Sequence, residues 1–196
     1  MASDDKPMTD KPAANEPVPN QLFQWWWLHD ARWYQEVAAR FGFEAANEIN
    51  AKALKFVSAR VARSVAQGLG KPVDELEWLD VVDAFARCPT LMWPPELVDF
   101  DCEPTGPGEF VVHSRRNFAL SMLRRAGTLE HYQCPCLRMR EGWFEGLGLR
   151  PVENRVEQCM REGASCCTFV ARVDGYGAEE PDGAERDPEE PAADAR

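Results

Sequence analysis

Long apolar runs are missing from this 196-residue chain. No stretch reaches 18 apolar residues, so nothing in it is expected to span a membrane. A secretory signal is missing too, because the N-terminus opens on polar and acidic residues. Positive charge is scarce: 22 Lys and Arg stand against 33 Asp and Glu, a formal net charge of -11. That balance argues against nucleic acid as a partner. There is no internal repeat. An even cysteine count is lacking as well. Seven cysteines with no leader ahead of them point to reduced thiols in a cytoplasmic protein, not to a disulfide framework.

What is present is ordinary for a globular chain of one-domain size, with 44% hydrophobic and 28% charged residues. The charge is uneven. Residues 174–196 carry nine acids and two bases, and residues 1–20 carry four acids and two bases. Both ends lack an apolar pattern, so neither can offset its ordering entropy by burial. The expected organisation is an N-terminal tail over 1–20, one domain over 21–173 and an acidic tail over 174–196, the tails being disordered.

Within the domain, hydrophobic periodicity predicts a helix from Gln21 to Phe41, stopped by Gly42, with Trp26, Trp33, Val37 and Phe41 on one face. A second helix follows from Phe43 to Gly68, with Ala46, Ala53, Leu54, Val57, Val61 and Val65 as its stripe. A third starts near Asp74, carries Leu76, Leu79, Val82 and Phe85, and gives way after Cys88-Pro89. Val98, Phe100 and Cys102 alternate with Asp99 and Asp101 as a strand, and Glu109 to Ser114 returns as the second arm of a hairpin. Short helices are expected over Asn117–Ala126 and Cys136–Leu147. A last hairpin, Val152–Arg161 with Cys166–Val173, closes the domain. The order is ααα-ββ-αα-ββ: an α+β fold, three N-terminal helices packed on a small antiparallel sheet.

Three constellations could carry chemistry. Cys134-Pro135-Cys136 brings two thiols together, and Cys159 meets Cys166 or Cys167 across the last hairpin, according to the length of its turn. The set Cys134, Cys136, Cys159 and Cys167 would give zinc four soft ligands, with His131 as a substitute. Plain packing of small buried thiols explains the same residues. So does a nucleophilic Cys134 or Cys136 beside His131 and arginines. Second, Arg115, Arg116, Arg124, Arg125, Arg138 and Arg140 face a single acid, Glu130, between His113 and Arg140. They read either as an arginine entrance for a carboxylate, with Arg115 and Arg116 foremost, or as a solvated helix face. Third, Asp30 falls within the first helix stripe beside His29, and Asn50 within the second, with Asn47 at its edge. A carboxylate there must be paired or neutral. It reads as the polar floor of a pocket with Asp30 as general base, or as a hydrogen-bonded lock between the helices. Trp25, Trp26 and Trp27 cannot all face one core, which points to an interface or a pocket mouth, and to a homodimer.

The second half carries a resemblance. Glu141-Gly142, followed by a strand and the hairpin Gln158-Cys159-Met160-Arg161-Glu162-Gly163-Ala164-Ser165-Cys166-Cys167-Thr168-Phe169, is similar to the L-2-amino-thiazoline-4-carboxylate hydrolase-like family. It also resembles the 4-vinyl-reductase-type small-molecule-binding domains. The opening Trp27-Leu28-His29-Asp30-Ala31-Arg32-Trp33-Tyr34 looks like that of related bacterial proteins. The resemblance implies a helical layer on a small antiparallel sheet with an apolar pocket between them. The hydrolase-like family carries Cys-Pro after the second strand, where this chain has Arg115-Arg116-Asn117. It also carries an Asp shortly after the mid-domain Cys, where Leu137 and Arg138 follow Cys136.

Two functions stay open. One is a small-molecule-binding domain with an apolar, Trp-lined pocket for an acidic ligand, held by Trp26, Asp30, Trp33, Asn50, Arg115 and Arg116. The other is a hydrolase of a small cyclic or sulfur-containing carboxylate, with Asp30, His29, Cys134 and Cys136 as catalytic candidates and zinc as a structural ion. The missing Cys-Pro and Asp favour the binder.

Overall fold

Glycines and proline set where the helices of this chain begin and end. A computed structural model describes residues 20–176. Gly42, at φ 87°, breaks the N-terminal helical run into α1 (Asn20–Phe41) and α2 (Phe43–Gln67). A single 3₁₀ turn over Val73–Glu75 leads into α3 (Trp78–Met92). The hairpin β1 (Val98–Gly106) and β2 (Glu109–Asn117) follows, then α4 (Phe118–Arg125), α5 (Cys136–Leu147) and the hairpin β3 (Pro151–Gln158) and β4 (Cys167–Val173). This is the α+β order read from the sequence. The four strands are antiparallel throughout, in the order β1-β2-β4-β3. Among the described residues, no helix is long and apolar enough to cross a membrane.

The two inner strands show the period of a half-buried sheet. Phe110, Val112 and Ser114 on β2 and Cys167, Phe169, Ala171 and Val173 on β4 all point inward, with Val112 opposite Phe169. Against them pack Phe85 of α3 and Trp143 and Phe144 of α5, with ring centroids 4.8 Å apart for Phe85 and Phe110 and 4.9 Å for Phe85 and Phe144. Gly142 and Gly146 bring α5 against Ser58, Ala59 and Ala62 of α2. A Cβ at Gly142 would lie 2.4 Å from the Lys55 carbonyl oxygen.

That contact rotates α2 away from its expected stripe. Ser58, Ala59 and Ala62 are buried, while Ala53 and Val57 are exposed. The helix faces α5 with its smallest residues because those allow the closest approach. On α1 the buried residues are Tyr34, Val37 and Ala38. Trp26, Trp33 and Phe41 are 59%, 47% and 66% exposed, so three of the four residues expected on the core face lie outside it. The core-facing ring is Trp27, stacked on Trp93 at 5.9 Å and tilted on Phe118 at 5.1 Å. The third helix starts at Trp78, not near Asp74, which leaves Leu76 buried ahead of it and Leu79 exposed. It runs past Pro89 to Met92. One turn from a helix end the missing N–H forfeits a single bond, and Trp93 N still donates to Pro89 O at 2.9 Å.

The expected tails lie mostly outside the described residues. Part of the C-terminal one, 174–176, packs on the domain: Tyr176 Oη donates to Val73 O at 2.7 Å and its ring lies 5.3 Å from Trp78.

Candidate functional site

Between the N-terminal helices and the sheet lies a cavity of about 250 Å³. Trp27 of α1, Leu54 of α2, Trp93 after α3, Phe100 of β1, Phe169 of β4 and Met139 of α5 form its apolar walls. Cys134, Pro135, Cys136 and Cys167 line one end, and Asp30, Asn50, Ser114, Asn117 and Tyr132 supply polar groups. Asn117 is held by its own capping role: its Oδ1 accepts from Leu120 N at 3.3 Å, fixing the turn from β2 into α4. Phe100 and Phe169 are the sheet's aromatic contribution to the cavity's apolar wall. Phe110 and Val112 instead belong to the core under α3.

Of the ligand-binding candidates, Trp26, Asp30 and Asn50 line this cavity, whereas Trp33, Arg115 and Arg116 do not. Arg115 pairs with Asp101 at 3.3 Å, and Arg116 donates to the carbonyls of Pro95 and Glu96 at 3.1 and 3.2 Å. Both are exposed, and short partners on β1 and the loop before it hold them there. Asp30 is not a buried lock between helices. Its side chain is 72% exposed and its partner is the adjacent His29, Nδ1 to Oδ1 3.2 Å. The buried lock is Asn47. Its Oδ1 accepts from Tyr34 Oη at 2.8 Å and from Gln133 N at 3.0 Å, and its Nδ2 donates to His131 O at 2.9 Å.

The thiols do gather. Cys134 Sγ lies 2.8 Å from Cys136 Sγ. Cys159 adjoins both Cys134 and Cys167, and Met160 N donates to Cys167 Sγ at 3.2 Å. The bond with Cys136 and burial hold the Cys134 thiol well above its usual range. The bond with Cys134 and burial do the same for Cys159. Burial pushes Cys167 up to about 11. These groups are therefore protonated thiols at neutral pH. Among the described residues, no set of three or more His, Cys, Asp or Glu side chains is arranged to hold a metal ion, so the zinc set Cys134, Cys136, Cys159 and Cys167 is not supported. The His131 ring is stacked on Phe43 at 4.5 Å and paired with Glu130 at 3.2 Å. It gives Cys134 and Cys136 no base.

One buried charge, behind the cavity wall and not among its lining residues, was hidden in the basic window. Arg140 is 0% exposed. Its Nε donates to Asn154 Oδ1 at 2.8 Å, its Nη2 reaches Arg155 O at 3.5 Å, and its Nη1 has no partner. The guanidinium lies 3.9 Å from the centroid of Phe169, a wall of the cavity. Burial lowers its pKa to about 10, with the neighbouring Cys136 and Cys134 opposing the shift, and it stays charged at neutral pH. Spacing could have exposed it: Cys136, Arg140, Phe144 and Leu147 fall at i, i+4, i+8 and i+11 on the buried face of α5.

This arrangement belongs to a stretch with known relatives, since the sequence profile of the L-2-amino-thiazoline-4-carboxylic acid hydrolases matches residues 27–170. The chain belongs to this hydrolase family. Of the cavity residues named above, the match takes in all but Trp26. No curated protein matches the chain. Among solved structures, it is similar to a trafficking protein particle complex subunit 3 from Naegleria fowleri, covalently bound to palmitic acid. That similarity has 12% identity and a TM-score of 0.55, covering 81% of this chain and 99% of that one. It is also similar to an H-NOX protein from S. oneidensis at 16% identity and a TM-score of 0.39, covering 71% and 69%. The first of these likenesses is one of fold. In this member of the family the cavity is lined by aromatic rings and thiols, and no histidine lines it among the described residues.

Proposed function

We propose that the cavity binds a small acidic molecule, with its apolar body against Trp27, Trp93 and Phe100 and its carboxylate in the field of Arg140. Arg140 carries the reading. A buried guanidinium with an unbonded Nη1 and no carboxylate partner among the described residues is costly to keep, and an anion entering beside Phe169 would offset that cost. The arginine of the site is then Arg140, in place of the expected Arg115 and Arg116. Few polar anchors in a mostly apolar cavity is the usual make-up of a small-molecule site. A trafficking subunit of similar fold is covalently bound to palmitic acid, which is consistent with room for an apolar chain in this fold.

Family membership favours a second reading, hydrolysis of a small cyclic or sulfur-containing carboxylate. Asp30 is the carboxylate at the cavity and would serve as the base that activates water. The Cys134 thiol, held protonated by its bond with Cys136 and by burial, is a poor nucleophile, so a covalent role for it is the weaker route.

The test is a panel of small acids, L-2-amino-thiazoline-4-carboxylate among them, each beside its carboxamide. Tryptophan emission reports binding and proton NMR reports ring opening. Acids that change the emission where amides do not support the site, and loss of the substrate signal adds the hydrolase. Silence from every acid removes both readings.

A further inference from the structure

A second cavity, of about 260 Å³, lies between α1, α2 and α4. It shares five lining residues with the first: Trp27, Asp30, Asn50, Ala119 and Tyr132. The two therefore adjoin, with these shared residues as the partition between them. Asn50 lies within hydrogen-bonding reach of the Tyr132 hydroxyl, and Tyr34 meets the Tyr132 ring edge-on at 5.7 Å. Either volume alone falls short of the roughly 300–1,000 Å³ of pockets for drug-sized ligands, while the two together fall inside that range.

The chemistry of the second compartment is one-sided. Its apolar lining includes Leu28, Ala31, Met122 and Leu123. Its polar side chains are already engaged. Tyr34 donates to Asn47, Gln35 Nε2 donates to Thr128 Oγ1 at 2.9 Å, and Arg32 pairs with Glu36. At the partition Asp30 has His29, and Asn50 has Tyr132. No unpaired cation or buried donor like Arg140 faces this space among the described residues. An occupant would gain nothing there from polar groups and much from hydrocarbon.

We propose that the second compartment seats the apolar tail of the ligand, so that the ligand class is a carboxylate with a slender hydrocarbon chain. The head lies in the first cavity and the tail passes Ala119 and Tyr132. This rests on the reading of the first cavity as an acid site.

The experiment measures dissociation constants for butanoate, hexanoate, octanoate, decanoate and hexadecanoate on the full chain. Wild type is compared with Ala31→Phe and Met122→Trp, two substitutions at residues that line the second compartment alone. Affinity should rise roughly fourfold per added methylene until the compartment is full. The fillers should flatten that rise and leave butanoate within twofold of wild type. Affinity that does not grow with chain length while short acids bind overturns the second compartment and leaves the first site standing. So does a rise that persists in both fillers. Failure of every acid, short and long, overturns the acid site itself. Should the fillers not fold, a long-chain acid with a terminal diazirine answers the same question on wild type. Cross-links to Met122 or Ala31 support the tail path, and cross-links confined to exposed residues outside the cavities overturn it.

Discussion

Gly146 of α5 sits so close to Ala59 of α2 that an added Cβ would lie 2.4 Å from the Ala59 carbonyl oxygen and 2.5 Å from Ala62 Cβ. Both are rigid parts of a helix, and neither can swing aside. Gly146→Ala gains up to about 1 kcal/mol of helix propensity but must push two helices apart, and overpacking of this kind costs about 1–3 kcal/mol. The clash wins. The variant should unfold at lower denaturant than wild type, and Ala62→Gly, which removes the Cβ 2.5 Å away, should partly restore it.

Asn47 and Asp30 should behave in opposite ways. Asn47→Ala strips partners from Tyr34 Oη, Gln133 N and His131 O at once, and each buried group left unsatisfied costs about 1–3 kcal/mol. Asp30→Ala removes an exposed side chain paired only with its neighbour, so stability should change by less than about 0.5 kcal/mol. Urea midpoints of the two variants check the contrast. A destabilised Asp30→Ala would restore the interface role that periodicity alone assigns it.

Stability should fall steeply at alkaline pH. Burial raises the thiols of Cys88 and Cys102 to about 12 and that of Cys167 to about 11, from 9.0. A raised folded value means the unfolded chain gives up these protons first. Their stabilising effect is therefore complete below pH 9 and is lost as pH climbs from 9 towards 12. Denaturant midpoints should drop across that window, and Cys88→Ala should drop less steeply. Ellman's reagent should find Cys88 and Cys167, both essentially unexposed, only after unfolding, and EDTA should leave the melting temperature unchanged.

Element order and the two hairpins were legible because they rest on local chemistry: glycine stops after α1 and α5 and the alternation of Val98, Phe100 and Cys102 with acids, whereas the β2–β4 pairing that joins the hairpins is a long-range contact. Helix faces were less so. Hydropathy weights bulk, and it chose Trp26, Trp33 and Val57. The fold buries small residues where backbones must touch, as at Ser58, Ala59 and Ala62, and a hydroxyl where a partner awaits it, as at Tyr34. Asn50 and Asp30 stood out as polar breaks in apolar stripes and do line the cavity. Arg140 was masked by its company. Five other arginines in the same window made it look like part of a solvated face, although its i, i+4 partners are core residues.

Arg140 offers the sharpest test of the site, because its structural and functional roles pull in opposite directions. Desolvation lowers its pKa from 12.5 to about 10, and at about 1.4 kcal/mol per unit the buried charge works against folding by an amount on the order of 3 kcal/mol. A base with a depressed folded value loses its proton first in the folded state, so this penalty holds at neutral pH and lifts only as pH rises from about 10 towards 12.5. Arg140→Met keeps an apolar side chain beside Phe169 and removes a buried charge with no carboxylate partner, and relief of that desolvation offsets the bond lost by the half-buried Asn154 Oδ1. The variant should therefore melt no lower than wild type while binding carboxylates at least tenfold more weakly, with carboxamide analogues unaffected. Isothermal titration beside thermal melts reads both. A variant that melts normally and binds acids as wild type does would leave Arg140 as a packing residue and remove the anchor of the proposed site.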